Sequence, residues 1–298
     1  MTSSSHFLKQ LFTVAETQAQ KLALVLDDQS WTYGELIDKV KSVVRQLHKS
    51  KIVQGQIIFQ FVERGFDMIC GLLAIMCVGG VYCAISPAEP ANRLARFLEQ
   101  IQGQYVLVHR KTHHRFPPRT VKNVLILDDI LLQVSCVTST DDSLLYRDYG
   151  AAFIIPTSGT TGRPKLVVHT HKSLSAMVAT YTQWNGGICR NGDQNLQSAS
   201  CSWILHLWEI TSTLTIGGTL ILLRPNGHLD MSYFSKTLFC QQVTALSTGP
   251  ATIRALTHYL KESQRLETLR FMRNITTGGN ERFPISRISL LDNSFLFR

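Results

Sequence analysis

The sequence predicts an α/β fold in which parallel sheets are flanked by helices. Two observations carry that expectation. Segments with apolar residues at a 3.6-residue period alternate with short, nearly continuous apolar runs, as when helices cover both faces of a parallel sheet. The second observation is the stretch Thr157-Ser158-Gly159-Thr160-Thr161-Gly162-Arg163-Pro164-Lys165, set between apolar runs at 151–155 and 166–168. Strand, loop, strand is expected there, with the loop exposed at the end of a buried hairpin.

Taken in order, Thr32-Tyr33-Gly34-Glu35 forms a capping box in which Thr32 and Glu35 satisfy each other's backbone amides. The helix it opens carries Leu36, Ile37, Val40, Val43, Val44 and Leu47 on one face. A buried strand follows at 57–62. Residues 68–85 contain no charge and approach the length of a membrane span. Gly71, Gly79 and Gly80 interrupt them, so helix, tight turn and buried strand are expected instead. Pro90 starts a helix with Leu94, Phe97, Leu98 and Ile101 inward. Strands follow at 105–108 and 124–127. Beyond the hydroxyl-rich loop come helices from about Lys172 and Trp203, a strand at 219–223, then helix, strand and helix. The last strand is placed at 271–275, running into Thr276-Thr277-Gly278-Gly279.

A chain of 298 residues, 44% hydrophobic and 17% charged, can bury one large core or two smaller ones, and disorder is disfavoured. The seven cysteines (70, 77, 83, 136, 189, 201 and 240) contain no Cys-x-x-Cys pair. They are expected as reduced, mostly buried thiols without structural zinc. The first residues lack a basic leader and an apolar stretch of signal-peptide length, which predicts a cytoplasmic protein. Of the formal charge of +9, five positives come from Arg110, Lys111, Arg115, Arg119 and Lys122. A basic connection without interleaved aromatics is not a nucleic-acid platform. His113 and His114 lack a third ligand at metal-binding spacing.

In the nine-residue loop, Gly159 and Gly162 let the backbone turn and bring amides close to a ligand. Thr157, Ser158, Thr160 and Thr161 add hydroxyls, and Lys165 adds a positive charge. Convergent amides, hydroxyls and an ammonium suit a polyphosphate. A Walker A loop would need glycine, lysine and Ser/Thr in succession, and Arg163-Pro164 separates Gly162 from Lys165.

At this loop the chain resembles the adenylate-forming (AMP-binding) superfamily, whose signature is close to Thr-Ser-Gly-Ser/Thr-Thr-Gly-x-Pro-Lys-Gly. It departs at Pro156, where an aromatic is usual, and at Leu166, where glycine is usual. Trp31-Thr32-Tyr33-Gly34-Glu35-Leu36 resembles the first block of peptide-synthetase adenylation domains. Gly79-Gly80-Val81-Tyr82 with Pro87, Pro90 and Arg93 resembles the second. Trp208-Glu209-Ile210 with Gly217-Gly218-Thr219-Leu220 resembles the helix and strand after the amino-acid anchor. Ile275-Thr276-Thr277-Gly278-Gly279-Asn280 resembles the pocket floor, with Asn280 where glutamate is usual.

The resemblance implies the N-terminal domain of an adenylate-forming enzyme, spanning 1–298 and incomplete. The segment reading Tyr-Gly-Pro-Thr-Glu, the ribose-binding aspartate and the small lysine-bearing C-terminal domain are not recognised in it. It implies ATP-dependent activation of a carboxylic acid as an acyl-adenylate, with Mg²⁺ bridging the phosphates. A phosphopantetheine carrier domain or CoA would accept the product. Thr157, Ser158, Gly159, Thr160, Thr161, Gly162 and Lys165 would hold the phosphates, Lys165 as the catalytic charge. Ile204, Leu205, Trp208, Ser247, Ile275, Thr277 and Gly278 would line the acid pocket. Trp203-Ile204 stands where Phe-Asp is usual, so no carboxylate is present to pair an α-ammonium. Two alternatives remain: a non-catalytic truncated remnant, and a fragment of an acyl- or aryl-CoA ligase.

Overall fold

The protein is described by a computed structural model covering residues 6–117, 120–132, 150–157, 165–183 and 189–277. Its first element, α1 (Phe7–Thr17), buries Phe7, Leu8, Leu11, Phe12 and Ala15 along one stripe. A hairpin follows, β1 (Leu22–Leu26) and β2 (Gln29–Thr32), turning at Asp27, whose φ is 54°. The capping box is present: Glu35 N donates to Thr32 Oγ1 at 3.2 Å, and Thr32 N donates to Glu35 Oε2 at 2.7 Å. It opens α2 (Tyr33–Lys49), which buries the six predicted apolar residues. The Tyr33 hydroxyl, also buried, donates to the Gly218 carbonyl at 2.6 Å.

Next come β3 (Ile57–Phe61), α3 (Phe66–Cys77), β4 (Val81–Ala84), α4 (Ala91–Gln100), β5 (Tyr105–Val108) and the short α5 (Arg110–His113). Then follow β6 (Asn123–Ile126), α6 (Leu127–Leu132), β7 (Ala151–Thr157), β8 (Lys165–Thr170) and α7 (His171–Gln183). The described chain continues through β9 (Gln194–Gln197), α8 (Ile204–Thr215), β10 (Thr219–Leu222), α9 (Met231–Cys240), β11 (Ala245–Thr248), α10 (Pro250–Glu262) and β12 (Asn274–Thr277).

Among the described residues, twelve strands form two six-stranded sheets, ordered β12-β11-β9-β10-β1-β2 and β6-β5-β3-β4-β7-β8. Each is parallel except at one edge, where β1 with β2, and β7 with β8, pair antiparallel. Side-chain alternation decides which core each face joins. Ile58, Tyr82, Tyr105 and Leu107 from one sheet meet Leu24, Leu220 and Leu222 from the other, with α1, α2, α3 and α8 in the same core. The reverse face of the second sheet (Phe59, Phe61, Val81, Cys83, Val106, Val108) packs on α4. The reverse face of the first (Val25, Leu196, Ile221, Leu223) packs on α9 and α10. Burial on both faces explains why these strands read as continuous apolar runs.

The uncharged stretch forms α3, a turn with Gly79 at φ 71°, and β4. No described helix is long and apolar enough to cross a membrane. Gly71 lies inside α3, where a Cβ would overlap Gln60 Oε1. Gln60 cannot swing aside: it is 2% exposed, and its Nε2 donates to the Met68 carbonyl at 2.9 Å. Gly71→Ala is therefore expected to cost about 1–3 kcal/mol of unfolding free energy by overpacking. Urea denaturation would measure it, and an unchanged midpoint would refute the packing account.

Three expectations need correction. The hairpin was expected to be buried on both strands, yet β8 is an edge strand with Val167 and Val168 39% and 56% exposed. The last strand begins at Asn274 rather than 271, because pairing with β11 starts at Ala245↔Asn274. Phe271 instead stands near Phe239, and the Arg270 guanidinium lies over both rings. The strand at 124–127 is displaced by one residue, since Leu127 already opens α6. The basic connection is also less bare than its composition suggests. Arg110 pairs with Asp129, and Lys111 with Glu63 at 2.6 Å. The six described cysteines are free, with Cys70, Cys77, Cys83 and Cys189 buried; Cys136 lies outside the described residues.

Candidate functional site

Strand β7 is central and apolar, with Ala152, Phe153, Ile154 and Ile155 buried, and it lies parallel to β4. Phe153 stacks on His169 of β8, with ring centroids 4.6 Å apart. Antiparallel pairing runs to the last residue of β7, where Thr157 and Lys165 are register partners. The predicted loop therefore leaves and re-enters the sheet at one point, at the C-terminal end of β7. Ligands of open α/β sheets bind outside the carboxyl ends of strands. Lys165 is exposed there. Ser158, Gly159, Thr160, Thr161 and Gly162 lie outside the described residues.

A second element is a small cavity of about 20 Å³ between α7, α8 and the strands β9, β11 and β12, lined by Tyr181, Asn195, Trp208, Ser212, Ser247 and Thr276 among others. The Tyr181 and Trp208 rings stand 5.1 Å apart at an interplanar angle of 57°. Of the residues expected in an acid pocket, the structure brings Trp208 and Ser247 together here. Ser247 is the register partner of Thr276, and partners in a parallel sheet share a face. Asn274 and Thr276 consequently line the cavity, whereas Ile275 packs against the core beneath α9 and α10. Thr277 is exposed at the strand end, and Gly278 lies outside the described residues. Ile204, in the first turn of α8, packs against the core between the sheets, and Leu205 is half-buried beside it.

Sequence reasoning passed over a third element. Glu209 is buried on α8 and fastens the chain just after β9. Its Oε2 accepts from Gln197 Nε2 at 2.8 Å and from Ala199 N at 3.1 Å; Oε1 accepts from Ser198 N at 3.2 Å. Arg64 reaches the same two residues from the other sheet, donating through one terminal nitrogen to the Ser198 and Ala199 carbonyls at 2.9 and 3.0 Å. Ser198 Oγ donates to the Ser247 carbonyl at 2.9 Å, which ties this segment to β11. Burial pushes the Glu209 carboxyl up to about 7, outweighing its hydrogen bonds and the nearby Arg64 charge. His206 is completely buried beside Gln197. Burial, with Arg64 adding to it, pushes its imidazole down to about 3. A lone carboxylate inside a helix with no other acidic or Lys/Arg residue was the available sign of this clamp. Arg64 and Gln197 carried none.

Two parallel sheets, each ending in an antiparallel hairpin and covered by helices, define the N-terminal portion of an adenylation-type α/β protein. The N-terminal subdomain of NpsA from Klebsiella oxytoca, solved with 3-hydroxybenzoyl-AMSN, superposes with a TM-score of 0.78 at 22% identity, covering 91% of this chain and 66% of that one. The nonribosomal peptide synthetase FmoA3, in an AMPPNP-bound form, gives a TM-score of 0.83 at 20% identity over 94% of this chain and 29% of that one. A family model described as AMP-binding enzyme matches residues 11–288, and the chain belongs to that family. Gramicidin S synthase 2 of Brevibacillus brevis is 27% identical over 278 residues, 92% of this chain. Tyrocidine synthase 2 of Brevibacillus parabrevis is 31% identical over 210 residues, 70% of this chain. The chain spans 6% of the length of each of these two proteins.

Proposed function

We propose that this chain is the phosphate-loop and acid-pocket portion of a peptide-synthetase-type adenylation domain, which activates a carboxylic acid with ATP. The observation that supports this best is the pairing of Thr157 with Lys165 across the β7–β8 hairpin, at the C-terminal end of β7. In the reaction a carboxylate oxygen bonds to the α-phosphorus of ATP. The bond from that phosphorus to the bridging oxygen breaks, and pyrophosphate leaves with its electron pair. Stabilising charge on phosphoryl oxygens is the protein's task. Thr157, Ser158, Gly159, Thr160, Thr161, Gly162 and Lys165 are assigned to the β- and γ-phosphates, with Lys165 supplying the cation. Mg²⁺ would enter bound to those phosphates and neutralise part of their charge.

The acid is assigned to the cavity with Trp208 and Ser247 in its wall. Ile204 stands where the family resemblance implies an aspartate, and Glu209, the carboxylate in the cavity wall, is already held by Gln197 and the Ser198 and Ala199 amides; a buried ammonium left unpaired costs several kcal/mol. The substrate is therefore a hydroxy, keto, aliphatic or aryl acid rather than an α-amino acid. A phosphopantetheine thiol on a carrier domain is the proposed acceptor, in keeping with the peptide synthetases among its relatives. ATP–pyrophosphate exchange across a panel of acids tests the reading. Exchange is expected with acids lacking an α-amine. Preference for α-amino acids would reject the role given to Ile204. Absence of both exchange and nucleotide binding would favour a non-catalytic protein.

A further inference from the structure

The carboxyl ends of the strands, where ligands of open α/β sheets bind, are bridged by a strap, residues 198–203, which leads from β9 into α8. Its near end belongs to the wall of the small cavity. Ser198 Oγ donates to the Ser247 carbonyl, and the Ser198 and Ala199 amides donate to the Glu209 carboxyl; Ser247 and Glu209 both line that cavity. Its far end approaches the β7–β8 hairpin. Ser202 shares a second small cavity with Pro156, the residue before Thr157, and with Ala84 at the end of β4. Between these ends Cys201 packs against the core between the sheets, and Trp203 N donates to the Ser200 carbonyl at 3.0 Å, closing a turn. The strap thus runs from the cavity assigned to the acid toward the hairpin assigned to the phosphates.

It is held from both sides. Gln197, on its own strand, donates through Nε2 to the Ala199 carbonyl at 2.8 Å. From the sheet that carries the hairpin comes Arg64, three residues beyond the end of β3. One of its terminal nitrogens donates to both the Ser198 and Ala199 carbonyls, at 2.9 and 3.0 Å. Hydrogen bonds from a charged donor are the stronger kind, and Ser198 is 6% exposed, so water competes little for its carbonyl. A carboxylate oxygen and a phosphorus must approach to about 3–3.5 Å before they react, and a misplacement of about 1 Å can cost about a hundredfold in rate.

We infer that Arg64 is a positioning residue for adenylate formation: by fixing Ser198 and Ala199 from the sheet that bears the hairpin, it sets the spacing between the acid and the phosphates. The inference rests on the adenylation reading above and adds to it a residue that touches neither substrate. Its removal therefore leaves each substrate bound and slows the step that joins them.

Calorimetric titration of the full chain with ATP, and with whichever of benzoate, hexanoate, lactate and pyruvate gives the fastest ATP–pyrophosphate exchange, reads the two affinities. The exchange rate at saturation reads the joining step. In Arg64→Ala both dissociation constants are expected to stay within about threefold of wild type, while the saturated rate falls about thirty- to a hundredfold. Arg64→Lys keeps one nitrogen able to serve two carbonyls, on a shorter and unforked arm, so its rate is expected about three- to tenfold below wild type. A role confined to stability gives a lower denaturation midpoint with the rate per folded molecule unchanged, and that result would overturn the inference. Weakened ATP binding would overturn it too, by making Arg64 a phosphate ligand. Should Arg64→Ala fail to fold, Arg64→Lys decides alone: a wild-type rate or weakened ATP binding sinks the inference. Any of these results, with exchange intact in the wild type, leaves the adenylation reading standing. If the wild type neither binds ATP nor supports exchange with any acid, both fall together.

Discussion

Replacing Glu209 by alanine is expected to lower the free energy of unfolding by about 3–5 kcal/mol, as when one partner of a buried charged network is removed. Two backbone amides, at Ser198 and Ala199, and the Gln197 side chain would lose their acceptor. The Arg64 guanidinium, itself largely buried, would lose the carboxylate whose charge favours its protonated form. Glu209→Gln keeps the shape and one acceptor oxygen, so its cost should be smaller. Chemical denaturation reads both values. A cost below about 1 kcal/mol for the alanine variant would mean that the clamp is not structural.

The same carboxylate makes a signed pH prediction. Its folded-state value, pushed up to about 7 from an ordinary 4.5, means that the folded protein holds this proton more tightly than the unfolded chain does. Its contribution to stability is full below about 4.5, falls as pH rises through that window, and levels off above about 7. His206 acts in the opposite direction. Held neutral down to about 3, it makes stability fall as pH drops below its ordinary 6.5. The two slopes oppose each other, so the informative quantity is the difference between wild type and Glu209→Gln. That difference should favour the wild type less as pH rises from 5 to 8, and a flat difference would contradict the burial-driven shift.

Removing the Lys165 ammonium is expected to weaken ATP binding by about ten- to a hundredfold, the range of a charge-assisted hydrogen bond of roughly 1.5–3 kcal/mol. The side chain is exposed at the start of an edge strand, so Lys165→Ala should change stability by no more than about 0.5 kcal/mol. Lys165→Arg keeps the charge and should recover part of the affinity. Nucleotide titration of folded variants separates the effects. Unchanged ATP affinity in Lys165→Ala would remove the phosphate-binding role assigned to the hairpin.

Much of this architecture is legible in the sequence. The 3.6-residue period of α2, its capping box and the apolar runs of β3, β4 and β5 are local statements about which face avoids water. The hydroxyl-rich segment announced its hairpin because apolar residues flank it on both sides. Strand β9 gave no such signal. Gln194, Asn195 and Gln197 are polar, and the two buried ones are tolerated in a central strand because Thr213 and Glu209 of α8 supply partners to Asn195 and Gln197. The edge position of β8 was equally hidden, since Val167 and Val168 look the same whether or not another strand covers them.

Periodicity, caps and a glycine-punctuated loop thus determined the fold class and most elements, because each depends on residues adjacent in the chain. Which side chains meet in the cavity and the clamp of Arg64 and Glu209 on residues 198–199 were decided only by tertiary structure. Those features depend on strand register and on packing between segments more than a hundred residues apart, as Arg64 and Ser198 are, and no local pattern in the sequence encodes such distances.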